Sequence, residues 1–165
     1  MPRRPGLLSL ILLLVAASSV ASHAPVTMLL APQFREIAEV TDAAAINPRP
    51  EALAVVGETI RVLWTEERGL ARSLFTRAFA ADGSPLGEAL LVADGVEACD
   101  IAASSSEFAI VWSTSAGVFA RVVARDGTLS DPELVAPDSS LPSVASDGSR
   151  FLVAWEIPGD LPTVL

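Results

Sequence analysis

Three short apolar runs, each closing on a tryptophan, dominate the hydrophobic pattern: Ile60-Arg61-Val62-Leu63-Trp64, Phe108-Ala109-Ile110-Val111-Trp112 and Phe151-Leu152-Val153-Ala154-Trp155. Their β-branched and aromatic content predicts strands. Ile60, Val62 and Trp64 share one face, yet Leu63, Val111 and Ala154 make the other face apolar too. A strand apolar on both faces is covered on both faces. With the tryptophans superposed, Leu53-Ala54, Ile101-Ala102 and Val144-Ala145 stand eleven and ten residues earlier. Turns at Gly57-Glu58, Ser104-Ser105-Ser106 and Asp147-Gly148-Ser149 separate each such pair from its tryptophan strand.

After the first two tryptophans the pattern continues in step. A third run, Leu74-Phe75-Thr76-Arg77-Ala78-Phe79 or Val118-Phe119-Ala120-Arg121-Val122-Val123, leads to Asp82-Gly83 or Asp126-Gly127. Asp-Gly is a hairpin signal, favoured where two residues need positive φ. A fourth run follows, Leu90-Leu91-Val92-Ala93 or Glu133-Leu134-Val135-Ala136. The tryptophans lie 48 and 43 residues apart, and the difference falls as four residues in the loop after Trp64 and one after Asp82-Gly83. Four strands in about 43–48 residues, joined by tight turns, predict a β-propeller blade. The expected class is all-β: a partial β-propeller of four-stranded antiparallel blades over residues 50–165, two complete and a third truncated. Ala54, Ala102 and Ala145 suit the narrow inner edge of such blades. A β-sandwich is the competing architecture, since it has similar strand spacing. A propeller closes with at least four blades, so a reading frame continuing past Leu165 is expected.

The amino-terminal 22 residues have a different pattern. Arg3 and Arg4 precede an apolar stretch from Leu7 to Val20, and small residues follow at Ser18-Ser19-Val20-Ala21-Ser22. These are the parts of a secretory signal peptide, cleaved after Ala21 or Ser22. The apolar stretch is shorter than the roughly 20 residues that span a bilayer, so no membrane span is expected after cleavage. Residues 23–49 form a linker or an amino-terminal strand: Phe34–Val40 alternates in part, while a helix over 33–45 competes.

Charge narrows the partners. The chain has 20 acidic residues against 11 basic ones, a net of −9, and loss of the leader's two arginines makes it −11. Nucleic acid and anionic membrane both require clustered positive charge and are excluded as partners. All basic residues are arginine, tyrosine is absent and alanine is abundant, the compositional mark of a GC-rich bacterial genome. The single Cys99 has no internal disulfide partner, so the fold stands on its core.

The repeat resembles those of exported bacterial proteins with tandem propeller blades. Pro142-Ser143-Val144-Ala145-Ser146-Asp147-Gly148-Ser149-Arg150-Phe151-Leu152-Val153-Ala154-Trp155 carries the likeness best. That resemblance implies architecture and leaves activity open, because propellers host binding and catalysis alike. Ser146-Asp147-Gly148 lacks the spacers of a sialidase-type Asp-box, and the single acids of the Asp-Gly turns do not match a calcium loop of integrin type.

Candidate chemistry is sparse. His23, the only histidine, lies at the cleavage region, which leaves a Ser-His-Asp triad without a base. Cys99 has no visible activating group and reads as an inert thiol. Arg77 and Arg121, each two residues after a Phe, are the candidate ligand-binding residues, able to line a groove for an acidic ligand such as a carboxylate sugar. The competing reading has each pairing with a neighbouring acid while its stem covers apolar surface. Glu66, Glu67 and Arg68 read as a solvated loop. Trp64, Trp112 and Trp155 read as packing residues between blades, with Gly83 and Gly127 as turn residues of the repeat. No catalytic residue, metal ligand or cofactor is expected. The function expected is a secreted or periplasmic, non-catalytic module that binds an extracellular or cell-surface ligand, carbohydrate or protein. The alternative is the amino-terminal part of a propeller enzyme, such as a glycan hydrolase or lyase, with its active site beyond Leu165.

Overall fold

A computed structural model describes residues 27–30, 35–39 and 47–159; the expected leader, His23 and the last six residues lie outside them. The chain is all-β, with twelve strands and no helix among the described residues. A short hairpin pairs β1 (Thr27–Leu30) with β2 (Arg35–Glu39). The part of the 33–45 segment that is described is therefore strand, not helix.

Two four-stranded antiparallel meanders follow. The first contains β3 (Arg49–Val56), β4 (Thr59–Arg68), β5 (Ala71–Ala80) and β6 (Leu90–Asp94), side by side in chain order. The second contains β7 (Ala98–Ala103), β8 (Glu107–Thr114), β9 (Gly117–Ala124) and β10 (Glu133–Pro137), again in chain order. A third sheet pairs β11 (Ser140–Ser146) with β12 (Phe151–Glu156). Among the described residues these sheets stay open and form no closed ring or barrel.

The two meanders match in register. Trp64 faces Phe75 across β4 and β5, and Trp112 faces Phe119 across β8 and β9. Leu74 pairs with Ala93 and Val118 with Ala136, and the ladder then skips Val92 or Val135 as a bulge. A left-handed residue stands 17 positions before each tryptophan, just ahead of β3, β7 and β11: Asn47, Gly95 and Asp138 have φ of 46°, 70° and 50°.

Two local features differ from the sequence expectation. The four extra residues after Trp64 form no longer loop. They lengthen the ladder, with Glu66, Glu67 and Arg68 pairing with Ser73, Arg72 and Ala71, so β4 and β5 have ten residues where β8 and β9 have eight. The Asp-Gly turns place only their glycine in the left-handed region, Gly83 at φ 86° and Gly127 at φ 95°. The Gly83 and Gly127 amides donate to the Ala80 and Ala124 carbonyls, and Ala80 and Ala124 donate to Ser84 and Thr128. That is a type I turn closed by a glycine bulge, the three-residue hairpin solution, which needs one positive φ and not two.

The core lies between sheets. Leu63 and Leu74 of the first meander pack with Phe108, Ile110 and Trp112 of the second, alongside Val56, Val92 and Ile101. A smaller layer of Ala109, Val111 and Val144, with Phe151 and Val153 against it, joins the second meander to the third sheet. Trp64, Ile60, Val62, Phe75 and Phe79 make a separate cluster on the other face of the first meander. Strand β3 packs on β7, and β7 on β11, so the first strands of successive sheets are neighbours.

Candidate functional site at the seam between two sheets

The tryptophans are placed by alternation along their strands. Trp112 is 3% exposed in the layer between the two meanders. Its ring stacks on Phe119 at 5.8 Å between centroids, and Trp64 stacks on Phe75 at the same distance. Trp155 shares the Phe151 and Val153 side of β12 yet remains 41% exposed. The Trp64 indole also donates to the Glu66 carboxylate at 2.7 Å.

Arg77 and Arg121 occupy equivalent positions, and carbonyl oxygens receive their donors. Nε of Arg77 donates to the Gly87 carbonyl at 2.8 Å, and Nε of Arg121 to the Ser130 carbonyl at 2.6 Å. Arg121 reaches further, donating through Nη1 to the Val92 carbonyl of the first meander at 3.0 Å. Val92 is the bulge residue of β6. Arg121 thus fastens one sheet to the next, while the Arg77 guanidinium lies 5.8 Å from the Phe79 ring centroid.

Other titratable groups are tied down. Burial, reinforced by nearby Glu51, pushes the Cys99 thiol up to about 12, so it stays protonated and unreactive at neutral pH. Glu51 accepts from Arg72 at 2.6 Å and from Thr65 at 2.8 Å. The Asp100 carboxylate accepts from Ser143 Oγ at 3.0 Å and from the Val144 amide at 2.9 Å, linking β7 to β11. Asp82, Asp126 and Asp147 accept from residues two or three positions ahead in their turns, and these bonds hold all three carboxyls below the usual range. Among the described residues no group of three or more His, Cys, Asp or Glu is placed to hold a metal ion.

Two buried side-chain polar atoms among the described residues lack a hydrogen-bond partner, Ser113 Oγ and Arg61 Nε, and only the second belongs to a charged group. Arg61, near the start of β4, is 1% exposed, and its Nε finds no acceptor. Its guanidinium carbon lies 5.2 Å from the centroid of the Phe108 ring in the facing sheet. Desolvation pulls its pKa below the ordinary arginine value. Its Nη2 reaches the turn between β9 and β10, 3.9 Å from where a side chain on Gly127 would begin. Arg125 reaches back across the same seam, its Nη2 3.6 Å from the corresponding point on Gly57. Arg125 is exposed and, like Arg61, makes no hydrogen bond or ion pair among the described residues.

Sequence reasoning passed over this pair because Arg61 interrupts an apolar run and Arg125 falls outside the aligned strand motif. A signal was available: the position three before each tryptophan holds Arg61, Ala109 and Leu152. No protein family, curated protein or solved structure matches this chain.

Proposed function

We propose that this chain is an exported, non-catalytic repeat module of β-propeller type that binds a carbohydrate or protein ligand outside the cytoplasm. The observation that carries the reading is the side-by-side succession of first strands, β3 on β7 and β7 on β11. Each meander runs away from that line, and the chain then returns to begin the next sheet beside the previous first strand. Repeating that step turns successive sheets about a common axis, which is how blades are arranged. The hairpin turns of both meanders gather along the sheet ends, and such loops are where a rigid scaffold carries recognition.

Export and binding are tested together. Expressed with its own leader in a bacterial host, the product is expected outside the cytoplasm with Ser22 or His23 as its first residue. Retention inside with an intact leader would overturn the export reading. The secreted product is then applied to glycan and protein arrays beside a panel of hydrolase and lyase substrates. Binding without turnover is the expected result, and turnover of any substrate defeats the non-catalytic assignment.

A further inference from the structure

We propose that Arg61 and Arg125 form a site for an oxyanion, a carboxylate or phosphoryl group carried by the ligand. The proposal deepens the binding-module reading by giving its ligand a charge. Three observations converge on it.

The repeat supplies an internal control. The position of Arg61 is filled by buried Ala109 in the second meander and by Leu152 in the third sheet. Packing at this point of the strand therefore does not require an arginine. A charge has been introduced where the architecture accepts an apolar residue.

The charge is also uncompensated. A guanidinium removed from water without a counter-charge is strongly disfavoured unless a partner restores its lost hydration. The chain is rich in carboxylates, and other arginines have taken theirs: Arg72 with Glu51, Arg150 with Asp147, Arg49 near Glu67. Arg61 instead faces the Phe108 ring and keeps a free Nε.

A second cation arrives from the facing sheet. The two guanidinium groups cross the same seam in opposite directions, each ending beside a glycine of the other sheet, and an anion received between like charges is attracted by both. Gly57 and Gly127 present no side chains toward them. Arg125 is exposed, so its side chain can swing to admit a ligand and then close on it. A guanidinium presents its donors as a planar fork that fits both oxygens of a carboxylate or two of a phosphoryl group. The apolar Phe108 wall lowers the local dielectric and strengthens the contact.

The test is calorimetric titration of the secreted protein, at constant ionic strength, with sodium glucuronate, inorganic phosphate and uncharged glucose. Glucuronate or phosphate is expected to bind at one site and glucose not to bind; the stronger of the two anions identifies the carboxylate or phosphoryl source. Arg61→Leu and Arg125→Gln are each expected to weaken that binding by about tenfold or more, the loss of one charged hydrogen-bonded contact. Near-ultraviolet dichroism of the tryptophans verifies the folded state of both variants, and the surface change at Arg125 keeps the test available should Arg61→Leu unfold the protein. Absence of anion binding by the natural sequence, or equal binding by both folded variants, would overturn the site. Array binding to a neutral glycan that Arg61→Leu leaves unchanged would overturn it too, while leaving the binding-module reading in place.

Discussion

The seam between the two meanders and the seam between the second meander and the third sheet are built from equivalent strands, yet they are held differently. The first is filled by large side chains, Leu63, Leu74, Phe108, Ile110 and Trp112, and bridged by Arg121 to the Val92 carbonyl. The second has Ala109, Val111 and Val144 at its centre and relies on the Asp100 carboxylate for directional bonds to β11. Strand order and register fix where sheets meet. Side-chain volume then decides whether apolar mass or hydrogen bonding holds the meeting together.

Trp112→Ala should break the contrast most sharply. It empties a closed layer and is expected to cost about 3–5 kcal/mol in denaturant unfolding, whereas Trp155→Ala on the half-open seam should cost below about 1 kcal/mol. Equal losses would erase the difference between the seams. Asp100→Ala comes next: it strips the Val144 amide and Ser143 hydroxyl of their acceptor and should cost about 1–3 kcal/mol. Hydrogen exchange should then accelerate in β11 and β12 and stay unchanged in β4 and β5. Arg121→Met keeps the stem and removes the bridge to Val92, for an expected loss of about 1 kcal/mol; Arg77→Met, which breaks no bond between sheets, should lose less.

The smallest effect concerns pH. Asp82, Asp126 and Asp147 have folded pKa values below those of the unfolded chain. Their contribution is present above the ordinary carboxylate pKa near ~4 and is lost as pH falls through the lowered values. Melting temperature should therefore decline on acidification below about pH 4, and replacing all three by Asn should flatten that decline.

Much of the strand pattern was legible because the shared apolar runs keep their spacing: the four extra residues after Trp64 are added at the hairpin ends of β4 and β5, beyond those runs. The tryptophan runs, the Arg-bearing third strands and the Asp-Gly turns all fall where apolar alternation places them. The hairpin after Trp64 was harder: Glu66, Glu67 and Arg68 look solvated by composition, and only the partner strand reveals that they extend a ladder. The arginines were least legible. Recurrence made Arg77 and Arg121 stand out, yet recurrence equally follows from the bonds to backbone carbonyls that both meanders make. Arg61 recurs nowhere, and its isolation arises from a neighbouring sheet that no local window contains.

The meander has one more consequence, for the order in which the molecule assembles. Within each sheet every strand pairs with its neighbour in the chain, so no ladder waits for a distant segment, and low sequence separation favours rapid closure. A polypeptide emerging amino end first can finish β3–β6 before β7 has appeared. The unfinished edge of such a molecule is always its newest one. Leu63 and Leu74 stay bare only for the interval it takes Phe108 and Trp112 to follow them out.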